Sequence, residues 1–209
     1  MSRFGVAVLA SGTGTNLQAI LDQLHGQEEG IEVVGVASDK PGAQALERAR
    51  AAQVQTASFP ASDYPDREGR DAAMADWLEG TGAVLIVLAG YMQLLSPDFI
   101  ERFRSRIVNV HPALLPSFAG LDAVGQAIAY GVQMTGVTVH FVDEGIDSGP
   151  IILQRAVPVP PSRDRAELED AIHRTEHALL PEAVRMIAAG RVSVDSADGR
   201  VVSIRQPRT

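Results

Sequence analysis

The chain opens on an apolar run, Phe4 to Ala10, which breaks into the polar, glycine-rich Ser11-Gly12-Thr13-Gly14-Thr15. From Asn16 the spacing changes: Leu17, Ile20, Leu21 and Leu24 recur at three and four residues, the period of a helix with one buried face. The same order follows downstream, with Ile31 to Ala37 as a β-branched strand, Asp39-Lys40-Pro41-Gly42 as a turn and Ala43 to Ala52 as a helix rich in Ala and Arg. Val54 to Phe59 predicts a third strand. After a polar loop holding Pro60, Asp63 and Pro65, a helix from about Arg67 to Leu78 leads into Ala83 to Leu88, a run suited to a strand buried on both faces. Strands alternating with helices imply an α/β fold, a mostly parallel central sheet flanked by helices with a Rossmann-like N-terminal half.

Beyond this point the punctuation is clearer than the periodicity. Ser96-Pro97 sets a cap residue before a proline at the first helical position and predicts a short helix to Phe103. Arg106 to Val110 returns to the sheet, Val124 to Tyr130 is a helix stopped by Gly131, and Gly136 to Val142 and Pro150 to Val157 are strands. Asp164 with Glu167 three residues later opens a long helix to about Ala189, which Pro181 would kink or divide. Val192 to Val194 and Val201 to Ile204, around Asp198-Gly199, suggest a terminal hairpin.

The length of 209 residues fits a single domain, 1–209, with one core. Acidic residues outnumber basic ones 26 to 18, a net charge of −8, and no Lys/Arg cluster offers a footprint for a phosphate backbone, so nucleic acid is disfavoured as a partner. The absence of Cys excludes disulfides, thiol catalysis and cysteine zinc sites. Met1-Ser2-Arg3 runs into the first strand without a small-residue cleavage site, and the longest apolar run, Ala83 to Met92, is too short for a bilayer. The expectation is a cytoplasmic protein with small-molecule substrates and no membrane partner; no motif specifies an oligomeric state.

Three segments carry candidate chemistry. Gly12-Thr13-Gly14-Thr15-Asn16-Leu17 follows the first strand but has Leu17 where a dinucleotide fingerprint needs its third glycine, and no Walker lysine. What remains is a turn with backbone N–H groups and hydroxyls at a helix N-terminus, suited either to a monophosphate or to nothing more than an ordinary helix start. Asn109 and His111 lie two residues apart, on one face of a strand that continues through them. An amide donor beside an imidazole suits the oxyanion of a tetrahedral intermediate, and the carboxylates of Asp143-Glu144-Gly145-Ile146-Asp147 could orient that histidine. The alternatives are a loop-satisfying histidine and an acidic surface loop. His173-Arg174-Thr175-Glu176-His177 matches an H-x-x-E-H zinc pattern, but a convincing third ligand is missing, and a solvated helix face or polar substrate contact is the competing reading.

Together, Ser11 to Leu17, Val87-Leu88-Ala89-Gly90-Tyr91-Met92, Asn109-Val110-His111-Pro112-Ala113-Leu114-Leu115-Pro116 and Asp143 to Pro150 resemble the formyltransferase family over nearly the whole chain. The first loop and the short chain resemble its purine-biosynthetic branch. The resemblance implies the formyltransferase fold, no metal, and formyl transfer from the co-substrate 10-formyltetrahydrofolate to the amine of glycinamide ribonucleotide. By the match of motifs, Asn109, His111 and Asp147 would be the catalytic set, Asp147 stabilising the imidazolium. Gly14, Thr15 and Asn16 would hold the ribonucleotide phosphate, and His173, Arg174, Thr175 and Glu176 its sugar and glycinamide. Arg67, Met92, Gln93, Leu94, Leu95 and Asn109, with Asp143, Glu144, Gly145, Ile146 and Asp147, would border the folate. Gln93 stands where the family usually has Arg, Asp122 where a His usually follows the Gly-Leu pair, and His173 where Gln is common. Competing readings are a formyltetrahydrofolate deformylase, a tRNA formyltransferase, a non-catalytic nucleotide-binding module and a zinc hydrolase.

Overall fold

In the structure, a computed structural model, residues 3–27, 29–195 and 198–206 are described. Met1 and Ser2, used above in the targeting argument, and Ser196 and Ala197 of the expected hairpin lie outside the described residues. The strands β1 (Phe4–Leu9), β2 (Ile31–Ser38), β3 (Thr56–Ser58), β4 (Leu85–Leu88), β5 (Ile107–His111), β6 (Met134–Phe141) and β7 (Ile151–Pro158) form one sheet in the order β3-β2-β1-β4-β5-β6-β7. Around them run α1 (Thr15–Leu24), α2 (Gln44–Ala51), α3 (Arg67–Gly80), α4 (Pro97–Arg102), α5 (Ala123–Tyr130) and α6 (Arg165–Ala188). The backbone forms two compact units, Met1–Val108 and Asn109–Thr209.

In the first unit β1 is parallel to both β2 and β4, and this central place explains its sequence: with both faces covered, Gly5 to Leu9 are buried without polar alternation. The third strand is shorter than Val54 to Phe59 predicts. It pairs only with β2, through Val36–Ser38 against Thr56–Ser58, while Val54 and Phe59 are buried just outside the paired stretch. The loop before α3 contains a 3-10 turn at Ala61–Asp63 that carries no apolar period and went unpredicted. Asp66 caps α3 by accepting from the Gly69 N–H at 2.7 Å, and Ser96 caps α4 by accepting from the Phe99 N–H at 3.3 Å, with Pro97 at the helix start as expected.

The second unit begins within β5, which continues through Asn109 and His111. β6 is buried along nearly its whole length, and β7 lies antiparallel on its outer side with Gln154, Arg155 and Ala156 exposed, as an edge strand permits. Asp164 accepts from the Glu167 N–H at 2.9 Å and starts α6, which runs uninterrupted past Pro181. The tail forms the expected antiparallel pair, β8 (Val192–Val194) with β9 (Val202–Ile204). Among the described residues no helix is long and apolar enough to cross a membrane.

Candidate active site

Asn109 and His111 leave β5 on the same face, and in the second unit both meet Asp147. Asp147 sits in the loop between β6 and β7 with a left-handed backbone, φ 49°. That loop is shaped locally: Asp143 accepts from the Gly145 N–H at 3.1 Å and from the Ser148 hydroxyl at 2.7 Å, and Gly149 passes so close to the Phe141 carbonyl that a Cβ would collide with it. The turn delivers one carboxylate to three donors. Asp147 Oδ2 accepts from the Gly120 N–H at 2.8 Å and lies 3.2 Å from His111 Nδ1, while Oδ1 accepts from Asn109 Nδ2 at 3.3 Å.

His111 is buried, and its other ring nitrogen, Nε2, lies 2.9 Å from the Phe118 carbonyl oxygen. Each ring nitrogen thus faces an acceptor, an arrangement that only the doubly protonated imidazolium satisfies in full. Burial pushes the Asp147 carboxyl up, but hydrogen bonding from His140 and Gly120 and the charges of His111 and His140 outweigh it, holding the group below the usual carboxylate range. At 3.6 Å, His140 Nε2 acts on Asp147 more through charge than as a hydrogen-bond donor; Gly120 at 2.8 Å is the firmer anchor.

His140 is absent from the sequence-derived set. It is fully enclosed on β6, with Nδ1 2.8 Å from the Phe141 carbonyl oxygen and Nε2 3.2 Å from Asn109 Nδ2. In the neutral ring, donation from Nδ1 to that carbonyl leaves Nε2 as an acceptor for the Asn109 amide; the pull on Asp147 described above belongs to the protonated ring. The two amide hydrogens of Asn109 are then directed to His140 and Asp147, and donating to a substrate oxygen requires exchange of the longer bond, the one to Asp147. A lone histidine in the apolar run Gly136 to Val142 has no spacing signal; only its position two residues before Val142 and the acidic loop could have suggested proximity to Asp147.

The remaining expected residues fall into separate groups. In the first unit Gly14 caps α1 with φ 72° and no side-chain cap; a Cβ there would lie 2.8 Å from both Cα and Cβ of Ala45, so this glycine serves helix packing as well as any ligand. Thr15 is half-buried and Asn16 buried at the first turn of α1. Arg67 is exposed and pairs with Glu68 at 3.2 Å. Met92 and Leu94 are exposed at 63% and 64%, whereas Leu95 is buried and Gln93 is half-buried.

In the second unit Glu144, Gly145 and Ile146 are exposed, and Asp143 is half-buried. On α6, His173 and Arg174 are exposed, the Thr175 hydroxyl donates to the Ala171 carbonyl at 2.9 Å, and Glu176 lies on the buried face with Ile172 and Leu179. His173 stacks on His177 with ring centroids 6.3 Å apart, and burial, aided by His173, lowers the His177 pKa. Among the described residues, no group of three or more His, Asp or Glu side chains is placed to hold a metal ion. Asp122, at φ 55°, caps α5 by accepting from the Gly125 N–H at 3.3 Å, and pairs with Arg165 at 2.8 Å.

Residues 4–184 match the formyl transferase family. The chain is 40% identical over 187 residues to the phosphoribosylglycinamide formyltransferase of Haemophilus influenzae, covering 90% of this chain and 88% of that one. It is 44% identical over 187 residues to the trifunctional purine biosynthetic protein adenosine-3 of Drosophila melanogaster; that stretch is 88% of this chain but only 14% of the larger protein. Among solved structures it resembles glycinamide ribonucleotide transformylase 1 from Symbiobacterium toebii, with a TM-score of 0.93, 45% identity, and coverage of 98% of this chain and 95% of that one. A match across that span, joined to the Asn109–His111–Asp147 geometry, places the chain in the formyl transferase family.

Proposed function

We propose that this chain transfers the formyl group of 10-formyltetrahydrofolate to the primary amine of 5-phosphoribosylglycinamide, a step of purine biosynthesis in the cytoplasm, and that residues 1–209 act as one formyltransferase domain. The observation that carries the reading is the convergence of Asn109 and His111 on Asp147 within a formyl transferase chain. In the proposed reaction the amine attacks the formyl carbon, a C–N bond forms, and negative charge gathers on the formyl oxygen. His111, exchanging its Nε2 bond to the Phe118 carbonyl, and Asn109, exchanging its bond to Asp147, donate to that oxygen, and the interaction strengthens as charge develops. Asp147 keeps the imidazolium compensated. Collapse of the intermediate breaks the bond to folate N10, and the proton lost by the attacking nitrogen balances the one N10 gains.

Gly14, Thr15 and Asn16 serve the ribonucleotide phosphate, and His173 to Glu176 its sugar and glycinamide. Arg67, Met92 to Leu95, Asn109 and Asp143 to Asp147 serve the folate. The reaction requires no metal in this scheme. The test is folate turnover with and without the ribonucleotide. Acceptor-dependent release of tetrahydrofolate is expected, whereas equal turnover without acceptor would make the chain a deformylase and refute the reading.

A further inference from the structure

Beneath Met92 to Leu95, in the first unit, lies a charged layer that the formyl-transfer scheme leaves unused. Arg70 and Asp71, neighbours on α3, are 3% and 0% exposed, and Arg70 gives Nε and Nη2 to the same Asp71 oxygen at 2.9 and 2.8 Å. The guanidinium then reaches outward. Nη1 donates to Gln93 Oε1 at 3.2 Å and Nη2 to the Leu94 carbonyl at 3.1 Å, while the second Asp71 oxygen accepts from the Ser96 N–H at 2.6 Å. The Met92 N–H is fixed from the other side by the Ser11 hydroxyl at 2.9 Å. Backbone groups of residues 92, 94 and 96 are therefore all pinned, and the side chains of Met92 and Leu94 are the ones turned to solvent.

Gln93 is the joint of this layer. Its amide oxygen accepts from Arg70 and its NH2 donates to Asp39 Oδ2 at 3.1 Å, so it links a cation to an anion, which an arginine, having no acceptor, does not do. Asp39 is 8% exposed, and its Oδ1 has no hydrogen-bond partner among the described residues; a single amide meets half of that carboxylate. A guanidinium at 93 would meet both Asp39 oxygens but would face the Arg70 guanidinium. Gln93 and Arg70 thus form one coupled solution, with the cation on α3 rather than on the solvent-facing segment. The Tyr91 hydroxyl reports the same layer: burial pushes its pKa up, Arg70 opposes, and Asp71 and Asp39 add to the rise.

We propose that Arg70 is a positioning residue for the formyl donor, holding the segment Met92 to Leu95 through Gln93 and the Leu94 carbonyl so that its two exposed apolar side chains are presented in a fixed geometry. The proposal rests on the folate assignment made above. Arg70 touches no reacting atom, so its loss weakens donor binding and leaves the chemical step alone.

The test is steady-state kinetics on Arg70→Gln, Gln93→Met and the swap R70Q/Q93R, each shown folded by its thermal transition. For Arg70→Gln, the KM for 10-formyltetrahydrofolate is expected to rise about tenfold, with kcat and the ribonucleotide KM within about twofold of the parent. The swap returns a cation to the layer, now on the segment itself and within reach of Asp39, and is expected to recover most of the donor KM. Parallel losses in kcat and both KM values, or an unchanged donor KM in folded Arg70→Gln, would overturn the proposal. If Arg70→Gln does not fold, Gln93→Met decides: it leaves the Arg70–Asp71 pair intact, about a threefold rise confined to donor KM is expected, and no rise overturns the proposal. A parent protein that transfers no formyl group to the ribonucleotide would instead sink the functional reading itself.

Discussion

Replacing Asp147 by Asn exchanges one carboxylate oxygen for an NH2 group and keeps the side-chain shape. The backbone is retained as well, because Asn is among the few side chains that tolerate the left-handed φ of 49° found here. The oxygen of the new amide can keep the Oδ2 place, accepting the Gly120 N–H and facing His111 Nδ1 as before, but the NH2 group then takes the Oδ1 place, where it faces the Asn109 amide. Two donors cannot share that contact, so Asn109 loses its acceptor there, and His111, still bonded to the Phe118 carbonyl, faces a neutral amide oxygen in place of a carboxylate. One charge-assisted bond is lost at a side chain only 14% exposed, which costs about 1.5–3 kcal/mol. At about 2–4 °C per kcal/mol for a chain of this size, the melting temperature falls by roughly 3–12 °C. Removing a charged donor from an oxyanion site lowers kcat on the order of 10²–10³-fold, with both KM values little changed.

Because the Asp147 carboxyl is held low in the folded chain, its stabilisation is present above the unfolded carboxylate pKa of about 3.9 and is lost as pH falls through the lower folded value. The stability gap between parent and variant is therefore full near neutral pH and closes below about pH 4. Nitrogen-15 NMR of His111, thermal melts and steady-state kinetics read the three parts. An unchanged His111 spectrum together with kcat within about threefold of the parent would refute the pairing.

His140→Ala is expected to lower kcat about tenfold by freeing the Asn109 amide from its acceptor, and His140→Gln, whose amide oxygen can take the same hydrogen, to recover part of it; equal kcat in the two variants would count against an orienting role. Gly14→Ala forces a Cβ against Ala45 at φ 72° and is expected to cost more than about 1 kcal/mol of stability before any ligand is added, which denaturant titration reads. Formyl transfer is expected to survive exhaustive treatment with a chelator, since the proposed scheme uses no metal; activity lost on chelation and restored by zinc would return attention to His173, Glu176 and His177.

Much of the frame was visible in one dimension because burial on both faces leaves unmistakable apolar runs, as at β1 and β4, and because capping is local chemistry, as at Ser96-Pro97 and Asp164. The shared face of Asn109 and His111 follows from strand alternation alone. Partnership across the chain does not. That Asp147 meets His111 came from a family resemblance, since no spacing rule joins the end of β5 to the loop between β6 and β7. His140 was hidden because a histidine inside an apolar strand looks like any buried residue. Arg70 and Gln93 lie on a helix and a loop, and their pairing depends on tertiary packing that neither local period encodes.

The strip from Met92 to Leu95 also has a thermodynamic consequence. Water covers Met92 and Leu94 in the free chain, while the backbone beneath them is already ordered through Ser11, Arg70 and Asp71. A ligand that settles on this strip releases the hydration shell of two large apolar groups and has little main-chain freedom left to quench. Its association should therefore carry a negative heat-capacity change without the unfavourable entropy of ordering a loop. Calorimetry of donor binding across a range of temperatures would separate this rigid, water-releasing surface from one that folds around its guest.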